Sequence, residues 1–180
     1  ILQESGSSCG MLGTLGFRTP TGMISTGFTT PESVEIQQML QTLKMAGVDN
    51  VVLEISSHAL ELHRIDDVDV DIAVFSNLTS EHLDFHGDME SYFASKLRLF
   101  KGLSNTKTAV INIDDPYSEK ICSATSAKII TYGMNEKADL HPVQSDFSLH
   151  GTRAQLKFRE TNISVDTTLI GEYNLSNIMA

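Results

Sequence analysis

The sequence predicts an α/β fold: a mostly parallel, doubly wound sheet with antiparallel hairpins at its edge near the C-terminus. Three observations predict it. Short apolar runs rich in β-branched residues, the pattern of strands buried on both faces, recur at 51–55, 71–78, 109–113 and 128–132. Segments with helical spacing separate them, the alternation that winds a parallel sheet. After Gly133 the pattern changes to strict apolar–polar alternation, the mark of half-buried antiparallel strands.

Residues 1–6 read as the end of a helix closed at Gly6. Residues 9–15 read as a short strand, and Gly13, Gly16, Pro20, Gly22 and Gly27 then mark turns or a hairpin. Thr30-Pro31 has the form of a helix start, with threonine as cap and proline in the first helical position. Ile36, Met39, Leu40 and Leu43 keep the i, i+3, i+4, i+7 spacing, and Gly47 ends that helix. Asp88 caps a helix from Met89 to about Phe100, and Pro116 opens another. Alternation from Phe147 to Phe158 and from Ile163 to Leu169 surrounds turns at His150-Gly151 and Thr161-Asn162. Residues 171–180 read as a turn entering a helix. No repeat or linker interrupts the chain, which reads as one domain, and its start at Ile1 points to a piece of a longer protein.

Bulk properties narrow the function. A net charge of −10 argues against nucleic acid, which calls for a basic surface. Two cysteines, Cys9 and Cys122, make neither a disulfide framework nor a metal knuckle, which fits a reducing cytosol. No apolar run approaches the ~18 residues of a membrane span, so no membrane partner is expected.

Polar groups stand at three strand ends: Glu54 with Ser56, Asn77 leading to His82, and Asp114-Asp115. Ligands gather at the carboxyl ends of strands in open α/β sheets. A carboxylate such as Glu54 in an apolar run calls for a cation, a metal or hydrogen-bond donors. His82-Leu83-Asp84-Phe85-His86 carries imidazoles and a carboxylate at the short spacing that can ligate a divalent cation. Met89, Phe93, Lys96 and Phe100 fall within about 60° of one another at ~100° per residue. Lys96 therefore sits on the apolar stripe of its helix, where a lysine is either snorkelling or desolvated for a purpose. A neutral amine there could take up carbon dioxide as a carbamate. The acidic run 66–71 lacks the glycine and distal glutamate of a calcium loop and reads as solvated. No Gly-Lys-Ser/Thr occurs, so these residues hold no P-loop.

Several motifs together resemble one family. They are Thr29-Thr30-Pro31, Glu54-Ile55-Ser56-Ser57-His58-Ala59-Leu60, the stretch 77–87 from Asn77 to Gly87, Ala94-Ser95-Lys96, and Gly171-Glu172-Tyr173-Asn174-Leu175-Ser176-Asn177. In this order they are similar to the central, ATPase-type domain of the Mur ligases, and the likeness covers essentially the whole chain. The Ser-Ser-His-Ala-Leu and His-Leu-Asp-Phe-His-Gly pair is most similar to the members that add the third amino acid to UDP-N-acetylmuramoyl-L-alanyl-D-glutamate.

The resemblance implies a cytoplasmic, monomeric ATP-dependent amide ligase of peptidoglycan precursor synthesis. Its partners would be a UDP-muramyl dipeptide and an amino acid, diaminopimelate or lysine. It implies that Thr29, Thr30, Ser56 and Arg64 hold the UDP-sugar dipeptide and that Asn174 and Asn177 approach the adenine of ATP. Glu54 and His82 would bind magnesium, and Lys96, carbamylated, would support a second magnesium. The chain departs from some relatives at Leu62, where they carry glutamine. The family's P-loop would precede Ile1, and uridine-binding and amino-acid-binding domains would flank residues 1–180. Two other readings stand beside this one: a folylpolyglutamate-synthase-like or cyanophycin-synthetase-like ligase, and a non-catalytic nucleotide- or metal-binding module.

Overall fold

A computed structural model describes residues 2–25 and 27–180. The chain divides into two compact units, Ile1–Asp69 and Val70–Ala180.

In the first unit, residues 2–6 form a turn whose last bonds run from Gly6 N–H to the Gln3 carbonyl and from Ser7 N–H to the Leu2 carbonyl. That is how a helix ends; Ile1 lies outside the described residues. Strands β1 (Cys9–Gly13), β2 (Gly16–Thr19) and β3 (Gly22–Ile24) make an antiparallel meander, as the glycine punctuation suggested. Helix α1 (Ser33–Met45) follows, then β4 (Asn50–Leu53), which pairs parallel to β1 in a sheet of order β3-β2-β1-β4. The unit's core is Leu12, Phe17 and Leu43. Helix α2 (Ser57–Glu61) begins where the sequence turns polar, with the Ser56 hydroxyl accepting from Ala59 N–H.

Two expectations fail here for local reasons. The α1 start lies beyond Thr30-Pro31: Glu32 is the cap, and a reciprocal capping box with Glu35 satisfies the first amides. The threonine is not spare for capping, because its hydroxyl is committed elsewhere, as described below. Nor is the strand around Val51 buried on both faces. It is the outer strand of its sheet, and Val52 keeps 50% of its surface exposed. The C-terminal end of α1 does follow the sequence: Gly47 takes φ +70°, and Val48 N–H reaches back to the Leu43 carbonyl.

The second unit opens with β5 (Ile72–Phe75), the short helix α3 (Leu83–His86) and helix α4 (Met89–Gly102), which Asp88 caps by accepting from Ser91 N–H. Strand β6 (Thr108–Asn112), helix α5 (Ser118–Ala124) and strand β7 (Lys128–Tyr132) continue the alternation. Strands β8 (Leu140–Ser148), β9 (Gly151–Phe158) and β10 (Thr161–Thr167) then run as hairpins, and α6 (Glu172–Met179) closes the chain. The sheet order is β10-β9-β8-β7-β6-β5. Ladders from β5 to β8 are parallel and the last two are antiparallel, so the expected mixture is present, with the hairpins at one edge. The second hairpin turns at Arg159-Glu160, with Arg159 at φ +55°, two residues before the expected Thr161-Asn162. One core cluster packs Phe75, Phe93, Phe100, Ile111 and Ile121 beneath α4 and α5, and a second packs α6 through Leu175 and Met179 against Tyr132 and Leu156.

Candidate functional site

In the first unit, five of the residues singled out from sequence stand in one hydrogen-bonded network. Thr30 is its centre and is 2% exposed. Its hydroxyl donates to the Glu54 carbonyl at 2.8 Å and accepts from Ser56 N–H at 3.1 Å. Its own carbonyl accepts from Arg64 Nη1 at 3.1 Å. Arg64 Nη2 also pairs with Glu32, while its Nε is buried with no hydrogen-bond partner. The Glu54 side chain is exposed and accepts from Thr14 N–H at 2.7 Å through Oε2. A β-carbon at Gly13 would meet that oxygen at 2.7 Å, so the missing side chain of Gly13 is what lets the carboxylate lie against β1. The Thr14 hydroxyl lies 3.0 Å from that of Thr29. Three separate segments, 29–32, 54–56 and 64, are thereby tied to one another by polar contacts.

In the second unit three of the singled-out residues, His82, His86 and Lys96, surround an aromatic ring. Tyr92 is 5% exposed and projects from α4. The His86 ring stacks on it at 5.1 Å, the His82 ring meets it edge-on at 6.0 Å, and the Lys96 ammonium lies over it at 5.2 Å from the centroid. Burial holds the Lys96 amine below the ordinary lysine range, against the upward pull of Glu81. Burial likewise pushes the Tyr92 phenol up, with Glu81 adding to it. His82 has a left-handed backbone, φ +57°, uncommon for a residue with a β-carbon, and its carbonyl accepts from Phe85 and His86 N–H. Sequence spacing placed Lys96 on an apolar stripe but missed Tyr92. The signal was there, since Tyr92 precedes Lys96 by one helical turn on the same face.

The third strand end has a structural explanation. Asp115 is buried and accepts from Leu78 N–H and Tyr117 N–H, both at 2.8 Å. Asp114 accepts from Met134 N–H, and Asn112 donates to the Ser76 carbonyl at 2.7 Å. These groups hold the loop after β5, where Asn77 itself is exposed. On α6, Asn174 and Asn177 lie one turn apart; Asn174 donates to the Ile170 carbonyl and Asn177 is exposed. Leu62, at the end of α2, is exposed. Among the described residues, no three of His, Cys, Asp and Glu gather closely enough to hold a metal ion, and no helix is long and apolar enough to cross a membrane.

Comparison with known proteins bears on these arrangements. Residues 1–180 match the family described as the Mur ligase middle domain. The UDP-N-acetylmuramoyl-L-alanyl-D-glutamate–2,6-diaminopimelate ligase of Solibacter usitatus is 40% identical over 182 residues, covering 100% of this chain and 37% of that protein. A solved structure of a ligase of that name superposes with a TM-score of 0.90 at 32% identity, covering 99% of this chain and 37% of the other. MurF from Acinetobacter baumannii superposes at 0.77 with 16% identity, over 99% of this chain and 36% of its own, a likeness of fold alone. The chain therefore spans little more than a third of the length of the relatives it matches.

Proposed function

The chain belongs to the Mur ligase middle-domain family, and from that premise we propose that it is the central part of an ATP-dependent ligase of peptidoglycan precursor synthesis. The reaction joins an amino acid to UDP-N-acetylmuramoyl-L-alanyl-D-glutamate in the cytoplasm. The observation that carries this reading is identity of 40% across the entire chain to a ligase named for that substrate. That relative and its neighbours name 2,6-diaminopimelate as the amino acid, which we adopt here over lysine. In such a reaction the substrate carboxylate takes the γ-phosphoryl group of ATP, releasing ADP. The amine then attacks the acyl carbon, and phosphate leaves as the amide forms.

The residues divide the work by their chemistry. Thr29, Ser56 and Arg64 are the polar groups offered to the UDP-sugar dipeptide. Thr30 joins them: its hydroxyl, donor to the Glu54 carbonyl and acceptor from Ser56 N–H, keeps one acceptor lone pair and also fixes the loop that presents the others. The exposed Glu54 carboxylate is a hard oxygen donor of the kind magnesium prefers, and its Oε2 accepts from Thr14 N–H. Glu54 in the first unit and His82 in the second would each be offered to magnesium, and Lys96 as a carbamate would support a second ion; magnesium would supply charge neutralisation at the transferring phosphate oxygens. Asn174 and Asn177 would approach the adenine of ATP. With no Gly-Lys-Ser/Thr in these residues, the amides and lysine that cradle the phosphates come from elsewhere in the protein. The uridine- and amino-acid-binding domains likewise lie outside residues 1–180.

Phosphate release by the full-length protein, with ATP, UDP-muramyl dipeptide and diaminopimelate each omitted in turn, tests the reading. Release is expected only when all three are present. Equal turnover without the muramyl dipeptide would overturn it.

A further inference from the structure

The geometry points to Tyr92 as a positioning residue: its ring is the platform that fixes where His82 and Lys96 stand. The proposal rests on the metal-binding role given above to those two residues.

Tyr92 and Lys96 share one face of α4, a turn apart. The ring is sunk in the core cluster with Phe93 and Phe100, which leaves it little freedom. Its face carries the Lys96 ammonium at 5.2 Å and the stacked His86 ring at 5.1 Å, inclined by only 26°. The His82 ring completes the set edge-on at 6.0 Å and 86°. A tyrosine with two side-chain torsions is a rigid surface whose quadrupole favours an edge-on ring, and the cation over its face places Lys96 as the free ammonium, before any carbamate forms. His82 needs such support. Its left-handed backbone costs about 1 kcal/mol or more and persists only where surroundings determine it. The amides of α3 hold its carbonyl, and Tyr92 holds its ring.

Groups behind metal ligands typically shift metal affinity by about 10–100-fold when removed. In the full-length protein, Tyr92→Leu is therefore expected to raise the magnesium requirement for phosphate release about tenfold or more. It should leave KM for the muramyl dipeptide unchanged, and kcat should recover at saturating magnesium. The His82 and His86 imidazole resonances, shifted by the Tyr92 ring current, should move at the same time. Tyr92→Phe keeps the ring and should keep all of these properties. Tyr92→Met, longer and more adaptable, is the second ring-free variant should the leucine protein fail to fold.

Wild-type resonances and a wild-type magnesium midpoint in a folded ring-free variant overturn the proposal. So does a shifted midpoint in Tyr92→Phe, which would place the effect at the hydroxyl. If the wild-type protein shows no dipeptide-dependent phosphate release, the proposed function fails instead. The imidazole resonances of wild type and variants then still report whether the ring holds the two histidines.

Discussion

The two units hold their singled-out residues by different physics. In the first, Thr29, Thr30, Glu54, Ser56 and Arg64 are tied by directional hydrogen bonds that run through the buried Thr30, by its hydroxyl and its carbonyl, and through Thr14. In the second, His82, His86 and Lys96 are held by contact with one buried ring. A hydrogen-bonded network fails when a single donor or acceptor is removed, because its partners are left buried and unpaired. A packed platform tolerates loss of a polar atom but not loss of shape. The two regions should therefore respond oppositely to isosteric polar-to-apolar changes.

The largest effect belongs to the packed region but to its chemistry rather than its packing. Lys96→Ala should lower kcat of the full-length enzyme by roughly a hundredfold or more, the scale of losing one charge-stabilising group. Binding of the UDP-substrate should change little, and bicarbonate should not restore turnover because no amine remains. Short carboxylic acids that fill the vacated space are expected to rescue part of it. Steady-state kinetics with and without acetate measure this; near-wild-type kcat would remove Lys96 from the chemistry.

Thr30→Val is the sharpest test of the hydrogen-bonded region. The change keeps the side chain's shape and strips the hydroxyl, leaving the Glu54 carbonyl and Ser56 N–H without their partner. The expected cost is about 1–3 kcal/mol of stability, read by urea denaturation. The matched change in the packed region, Tyr92→Phe, should cost well under that. Equal costs for the two would erase the distinction between the units.

Smaller still is Gly13→Ala. The new methyl meets Glu54 Oε2 at 2.7 Å and Glu54 Cβ at 3.0 Å. The carboxylate is exposed and can swing away, so the fold should lose less than about 1 kcal/mol. The same swing breaks the Thr14 N–H bond and misplaces the group assigned to magnesium, and metal affinity should fall roughly tenfold. Magnesium titration beside thermal unfolding separates the two effects.

How much of this was legible in the sequence depends on the range of the interactions. Parallel strands, α4 with its Asp88 cap, and the Gly47 helix end were readable because periodicity and capping act within a few residues. The start of α1 was not. Thr30 looks like a cap from its neighbours, yet its hydroxyl is claimed by residues 24 and 26 positions onward, a contact that no local pattern encodes. For the same reason the Asp115 carboxylate, which looked like part of a ligand site, turns out to secure Leu78 N–H, 37 positions away. Lys96 was legible as unusual because a charge breaking an apolar stripe is a local signal. The ring beneath it was not singled out, because an aromatic on a buried stripe is the ordinary case.

The smallest effect at neutral pH, and one that divides the units, concerns alkaline solution. All four tyrosines, Tyr92, Tyr117, Tyr132 and Tyr173, lie in the second unit. Burial pushes the Tyr132 phenol up to about 12, and the nearby Asp114 carboxylate adds to it. Between an ordinary phenol value of about 10 and that figure, the unfolded chain has lost a proton that the folded unit keeps. Unfolding then releases a proton, so stability falls as pH rises through this window. Lys96 has the opposite sign. Its amine is held below the ordinary range, so below about 10.4 the unfolded chain keeps a proton that the folded one has shed, and stability rises with pH there. Melting temperature should accordingly rise and then fall with increasing pH. Tyr132→Phe should make the descending limb shallower, the raised Tyr92 phenol keeping part of it, and leave the ascending one. At pH 7 it should change stability by about 1 kcal/mol or less, since the bond lost to the Phe75 carbonyl is long at 3.4 Å. Absorbance of the phenolate, followed alongside circular dichroism, shows whether ionisation coincides with loss of the second unit's structure. Ionisation of Tyr132 near pH 10 without unfolding would mean that its hydroxyl is wet, and that packing in this unit is looser than the platform at Tyr92 requires.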